Sequence, residues 1–270
     1  MDTRSFLGLA PGRPTHWRFP VTPGLCSFSG NLFGGAALAA GIEAMEAITG
    51  RRVVWGSAQY LSFAKNGDVL DLEVVVPVEG HFTSQARVIG RVGDSEVFTV
   101  SGAFGTRPTT AEGRFATRPL VPRPLDCPER TWRLPNQESI NQHVEMRLAR
   151  GRDIDDLDGT PTPDGRSALW ARMPGIDQMS ASSLAILGDW VPFGVSQALG
   201  ARAGGNSLDN TLRVVKLVPT DWVLLDIRIH AIHDGFAHGV VYQWAEDGSL
   251  LATASQSVKV RFWEDPSAQK

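Results

Sequence analysis

The chain reads as one unit written twice. Phe33-Gly34-Gly35-Ala36 and Leu187-Gly188-Asp189-Trp190 stand 154 residues apart, each within a long apolar run. The same offset matches Pro20 with Pro174, Gly34 with Gly188, Phe82 with Phe236, Ser95 with Ser249 and Ser101 with Ser255. An offset of 153 brings Trp17 to Trp170 and Asp68 to Asp221. No single identity decides anything. A nearly constant offset through one order of elements is the mark of a tandem duplication. The copies differ where Gly35 of the first faces Asp189 of the second. A carboxylate in an apolar run is costly to bury without partners, so Asp189 either caps a helix or does chemistry.

Each copy predicts a strand, a long helix and several antiparallel strands. In the first, residues 17–20 read as a short strand and 31–49 as a helix, with Asn31 as N-cap and Gly50 as stop. That helix is Ala-rich and apolar nearly all round, relieved only by Glu43 and Glu46, which predicts burial. Strands follow over 53–63, 68–78, 82–92 and 96–104, divided by Lys65-Asn66-Gly67, Glu79-Gly80 and Gly93-Asp94. The second copy predicts an edge strand over 144–148, a strand over 168–174, and one helix over 180–201. Strands follow over 208–218, 222–232, 236–245 and 250–262, with hairpin turns at Asp234-Gly235 and Asp247-Gly248. Residues 1–14 read as a loose lead-in. Prolines at 108, 119, 122, 124, 128 and 135 read as a linker rather than a core element.

A helix too apolar for a surface needs a curved sheet wrapped around it. That is the α+β arrangement called a hotdog, and two in one chain make a double hotdog. The expected division is an N-terminal hotdog over 1–108, a Pro-rich linker over 109–138 and a C-terminal hotdog over 139–270. Single hotdogs pair through their sheets, so the fusion makes the pair intramolecular.

Composition limits the function. The chain has 270 residues, 42% of them hydrophobic, which is ample for one large or two ordinary cores. A net charge of −3 does not favour nucleic acid as a partner. Cys26 and Cys127 form no CxxC pair and no zinc spacing; they fit a reduced, cytoplasmic setting, and a single disulfide is the alternative that the sequence leaves open. The first residues carry charges and prolines and do not read as a signal peptide. No apolar run reaches the ~18–20 residues of a membrane helix. There is no G-x-S-x-G, no P-loop and no G-x-G-x-x-G. His230, His233 and His238 lie around a hairpin without a zinc pattern and read, like His81, as structural or surface residues. No metal and no cofactor is expected.

Several motifs together resemble the acyl-CoA thioesterase II family and its thioesterase-like relatives. Phe33-Gly34-Gly35 opening an Ala-rich helix is similar to the family's FGG stretch. Leu187-Gly188-Asp189 is similar to its second helix with the aspartate. Ser207-Leu208-Asp209-Asn210 resembles its [ST]-[LI]-D-H strand, Asp221-Trp222 the D/E-W after it, and Ala254-Ser255-Gln256 its last-strand glutamine, followed by the late Arg261. Val144-Glu145-Met146-Arg147 resembles the strand opening the second hotdog. The likeness runs from about residue 17 to 263. It departs where the family has the strand histidine (Asn210 here), a following His-Arg-Pro (Val214, Val215, Lys216) and Glu-Gly after the glutamine (Ser257-Val258).

The resemblance implies a double hotdog that hydrolyses fatty acyl-CoA, with Asp189, Ser207 and Gln256 holding the attacking water. The residue types suit that chemistry: an aspartate accepts a proton, and a hydroxyl and an amide fix a water. Thr211 is a possible substitute for Ser207, and Asp209 reads as a structural strand acid. A backbone N–H at a helix N-terminus is the expected oxyanion donor, and Gly34 and Gly35 would let a thioester approach closely. The first copy has Gly35, Gly102 and Val53 or Val54 where the second has Asp189, Gln256 and Ser207, so one hydrolytic site per chain is expected. Arg51, Arg52 and Lys65 could meet coenzyme A phosphates. Two other readings stay open: a hotdog enoyl-thioester hydratase, and a non-catalytic acyl-CoA-binding protein. Acyl-CoA is the expected partner, in fatty acid metabolism, with a homodimer or larger homo-oligomer as the assembly.

Overall fold

The computed structural model describes residues 1–130 and 138–263. Pro135 and the other residues of 131–137, and the tail 264–270, lie outside the described residues. The first half contains α1 (Thr3–Phe6), β1 (Ala10–Pro11), β2 (His16–Pro20), α2 (Gly34–Thr49), β3 (Val53–Tyr60), β4 (Val69–Glu79), β5 (Thr83–Val92) and β6 (Ser95–Gly105). The second contains β7 (Glu145–Arg150), β8 (Arg166–Arg172), α3 (Ala181–Leu187), α4 (Val191–Leu199), β9 (Ala203–Ser207), β10 (Asp209–Val214), β11 (Val223–His233), β12 (Phe236–Ala245) and β13 (Leu250–Phe262).

Among the described residues all strands belong to one antiparallel sheet, in the order β1-β2-β4-β5-β6-β3-β10-β13-β12-β11-β8-β7, with β9 paired to β13 off this path. The order is a palindrome about the β3–β10 seam: β2-β4-β5-β6-β3 on one side mirrors β10-β13-β12-β11-β8 on the other. The seam register proves the symmetry. Thr211 pairs with Ser57, Asn210 with Ala58 and Leu212 with Gly56. Thr211 and Ser57 are 154 residues apart, and the pairs on either side, 152 and 156 apart, flank that value evenly, so a pseudo-twofold axis passes between Ser57 and Thr211, whose hydroxyls meet at 2.7 Å. This is the double hotdog, with α2 packed against α3 and against strands of its own half.

The predicted strands form, while several details differ. Asn31 is not the N-cap of α2. The helix starts three residues later, behind Phe33, and the Asn31 amide donates to Ser29 Oγ instead. Gly50 does stop it, at φ 65°. Both acids of α2 find partners. Glu43 is nearly buried, pairs with Arg4 and accepts from Ser182 Oγ at 2.6 Å. Glu46 accepts from the Val53 N–H at 2.7 Å, which ties the helix to β3.

Residues 1–14 are not a loose lead-in. Leu7 and Leu9 are buried, and Thr3 Oγ1 meets Ser180 Oγ at 2.9 Å, so this segment covers the α2–α3 junction. The Pro-rich stretch does more than link. Trp170 Nε1 donates to the Pro122 carbonyl at 2.9 Å, and Val121 and Cys127 pack with Trp170, Trp222 and Trp244 in a second small core. Trp17 belongs to the main core and Trp170 to this second one. Side chains alternate faces along a strand, so their match at 153 does not make them equivalent.

Candidate active site

The single helix expected over 180–201 is two helices. α3 opens with Ser180 as N-cap in a capping box with Ser183, and ends at Leu187. α4 starts at Val191, with Pro192 in its first turn. Pro192 lacks the N–H that a continuous helix would use, so the chain breaks at Gly188-Asp189-Trp190. The break turns Asp189 out of a helical ladder and presents its carboxylate to α2 and β13.

Both carboxylate oxygens are held. Oδ2 accepts the Gly35 N–H at 2.5 Å, and Oδ1 accepts from Gln256 Nε2. The Gln256 amide cannot flip freely, because its Oε1 accepts the Val191 N–H of α4 at 3.1 Å. Its Nε2 also reaches Ser207 Oγ at 3.1 Å. Asp189 and Gln256 are 5% and 2% exposed, so these bonds form out of bulk water. Burial pushes the Asp189 carboxyl up to about 7; the bonds from Gln256 and Gly35 pull the other way and are outweighed. Asp189, Ser207 and Gln256 thus converge.

Gly35 is not free to meet a substrate. Its N–H is spent on Asp189, and the residue does not border the cavity described below. Gly34 does border it, and its N–H makes no hydrogen bond among the described residues. A Cβ on Gly34 would lie 2.9 Å from both Asp189 Oδ2 and Tyr60 Oη, so only glycine leaves this corner open. Thr211 does not join the cluster and meets Ser57 at the seam. Asp209 accepts the Ser257 N–H at 2.8 Å and pins the β9–β10 corner to β13.

Asp189, Ser207, Gly34 and Tyr60 border a cavity of about 280 Å³. Its remaining wall is mostly apolar, with Leu32, Phe33, Phe98, Ile140 and Phe193, and with Arg130 and Arg152 as cations. Arg130 lies 4.6 Å from the Phe193 ring centre, and burial lowers its pKa to about 10. Arg51, Arg52 and Lys65 do not border it. No histidine borders it among the described residues, and no group of three His, Cys, Asp or Glu there could hold a metal ion. Tyr60 and the helix break were not foreseen. Pro192 in the predicted helix was a readable signal for the break; nothing in the sequence marks Tyr60.

Residues 124–260 match the family model described as the acyl-CoA thioesterase C-terminal domain. A proposed thioesterase from Novosphingobium aromaticivorans shares 35% identity, with 93% of this chain and 97% of that chain covered and a TM-score of 0.83. A hot dog fold protein of unknown function from Alicyclobacillus acidocaldarius (20% identity, 97% and 98% covered, TM-score 0.85) shares the fold. So does an acyl-CoA thioesterase II from Mycobacterium marinum (18% identity, 97% and 99% covered, TM-score 0.75). A comparison with curated protein sequences finds no significant match. With its C-terminal half matched by the family model and nearly its whole length by the Novosphingobium protein, the chain belongs to the acyl-CoA thioesterase II superfamily.

Proposed function

We propose that this chain hydrolyses fatty acyl-CoA to free fatty acid and coenzyme A at the cluster of Asp189, Ser207 and Gln256. One observation carries the reading: a buried carboxylate, gripped on both oxygens, sits beside a hydroxyl at the wall of a mostly apolar cavity. The fatty chain lies along the apolar wall. A water on Asp189 loses its proton to the carboxylate and attacks the thioester carbonyl carbon. Ser207 Oγ accepts from Gln256, so its own proton is left to point at the water or the carbonyl. The Gly34 N–H, at the positive end of α2, receives the oxyanion. The tetrahedral intermediate then collapses, the C–S bond breaks, and the thiolate of coenzyme A leaves with the proton that Asp189 took from the water, which restores the carboxylate. No metal or cofactor enters.

The absence of a bordering histidine among the described residues weighs against a hydratase, which needs an acid–base pair. We place the enzyme in the cytoplasm, in fatty acid metabolism. Its two cysteines are free and buried, and no described helix is long and apolar enough to cross a membrane. A homodimer or larger homo-oligomer is supported by apolar residues exposed at symmetry-equivalent positions: Val54 and Leu208, Leu61 and Val215, Phe63 and Leu217.

Thiol release, followed with a thiol-reactive dye over acyl-CoA chain lengths, tests the reading. Turnover should appear with fatty acyl-CoA and fall by ~10²-fold or more in Asp189→Asn. A folded protein that binds acyl-CoA but releases no thiol would leave the binding-module reading standing. Unchanged turnover in Asp189→Asn would remove Asp189 from the mechanism.

A further inference from the structure

We propose that Tyr60, a first-half residue at the end of β3, is a positioning residue that aligns the Gly34–Gly35 peptide against Asp189 and braces Ser207 from its other end. The inference rests on the hydrolytic reading above and adds the element that sets its geometry. Tyr60 Oη donates to the Gly34 carbonyl oxygen at 2.7 Å. That carbonyl and the Gly35 N–H belong to one planar peptide unit. The same unit therefore accepts from Tyr60 at one end and donates to Asp189 Oδ2 at the other, at 2.5 Å. Fixing the carbonyl fixes the direction of the N–H. It also polarises the peptide, which strengthens the bond to the carboxylate.

The backbone of Tyr60 does a second job. Its N–H donates to the Leu208 carbonyl at 3.0 Å, in the link between β9 and β10 and next to Ser207. Tyr60 also pairs with Phe98 of β6. One residue thus ties the α2 N-terminus, the seam strands and the Ser207 corner together. The two glycines cannot hold themselves, having no side chains, so the alignment must come from a neighbour. Tyr60 is the neighbour in reach, since a Cβ on Gly34 would touch both its hydroxyl and the Asp189 carboxylate. Among the described residues the carboxylates that act on the Tyr60 hydroxyl are Asp189 and Asp209, the latter committed to the Ser257 N–H, and Arg130, Arg152 and Asp153 border the same cavity.

Tyr60→Phe removes the hydroxyl and keeps the ring. The expected result is a kcat reduced by about tenfold, the worth of one hydrogen bond, with KM within about twofold. The acid limb of the kcat/KM profile should move to higher pH, because a looser Gly35 N–H stabilises the carboxylate less. A second measurement keeps the native fold. The chain has only two tyrosines, Tyr60 and Tyr242, so 3-fluorotyrosine can replace both and Tyr60→Phe identifies the Tyr60 ¹⁹F signal. That signal should titrate with the acid limb in the otherwise native enzyme and lose the titration in Asp189→Asn. An unchanged kcat and acid limb in folded Tyr60→Phe overturns the proposal, as does a ¹⁹F signal that does not follow Asp189. An altered KM alone would make Tyr60 a substrate contact and also overturn it. Failure of the catalytic reading itself shows differently: turnover would persist in Asp189→Asn whatever Tyr60→Phe does.

Discussion

The two helices at the centre of the halves began as the same element and now do opposite things. α2 runs unbroken for 16 residues. Its counterpart at the 154 offset is the shorter α4, which starts only at Val191, after Gly188-Asp189-Trp190; α3 lies before that break, aligned with residues 27–33, which form no helix. At the aligned position the first half has Gly35, where a Cβ would lie 2.8 Å from the Ala185 carbonyl oxygen and 2.9 Å from Ile186 Cα. α3 presses on α2 at that point. An aspartate cannot stand at position 35 while the two helices touch so closely, and the glycine makes the aspartate opposite possible by offering its N–H. The counterpart of Gln256 tells the same story. A Cβ on Gly102 would lie 2.7 Å from the Trp55 carbonyl oxygen. So duplication did not leave one working copy and one idle copy. The first half became the mould that holds the second half's carboxylate.

The cavities repeat this contrast. Ser29, Phe33, Phe63 and Ala64 border the one at Asp189. Their counterparts Ser183, Leu187, Leu217 and Val218 border a second cavity in the second half. Asp177 and Asp221 border it too, and neither Asp189, Ser207 nor Gln256 does.

The largest test of the contrast is the stability of Asp189→Asn. Asp189 titrates at about 7 in the fold against an ordinary 3.8, so the folded state binds the extra proton between those values. The stability this lends is full below pH 3.8 and is lost as pH climbs through about 7. At pH 8 the ionised, buried carboxylate should cost about 4 kcal/mol relative to pH 4, at 1.36 kcal/mol per unit. Asn does not titrate. Urea melts should show the variant gaining on the native protein between pH 4 and 7 and holding that gain above. A gap that does not vary with pH would mean that the site holds Asp189 ionised without strain.

Gly35→Ala comes next. Its methyl meets helix backbone, which cannot give as a side-chain tip can, so α2 and α3 must separate. A loss of ~1–3 kcal/mol is expected, with turnover lowered further than in a surface control of equal stability. Gly102→Ala should cost a similar or smaller amount of stability and leave kcat within about twofold, since nothing catalytic is assigned there. Equal damage to kcat from both would erase the distinction between mould and relic. The smallest effect is a count. Titration with a non-hydrolysable acyl-CoA analogue by calorimetry should give about one ligand per chain; two equal sites would make the second cavity a functional copy.

The repeated strand–helix–strands unit was legible because the duplication is written at a fixed offset, and strand and turn chemistry repeats with it; that the two copies join edge to edge at β3 and β10 is a pairing between distant segments that the sequence does not mark. Asp189, Ser207 and Gln256 were legible as a set through the order of their motifs, and the structure brings them together. What stayed hidden depends on contacts between distant segments. The fate of the Gly35 N–H rests on a residue 154 positions away. The burial of Leu7 and Leu9, and the cover that Val121 and Cys127 give to three tryptophans, are tertiary facts that local composition opposes. The helix break is a different case. Pro192 announced it, and the apolar run over 180–201 outweighed the signal.

The seam where Ser57 meets Thr211 has a consequence for how the enzyme responds to dilution. Two separate hotdogs would find each other by collision, and the grip of Gly35 on Asp189 would last only while they stayed bound. Joined in one chain, each half meets the other at an effective concentration set by the connection and independent of the amount of protein in solution. Specific activity should therefore hold constant down to enzyme concentrations at which any association between whole chains has been lost.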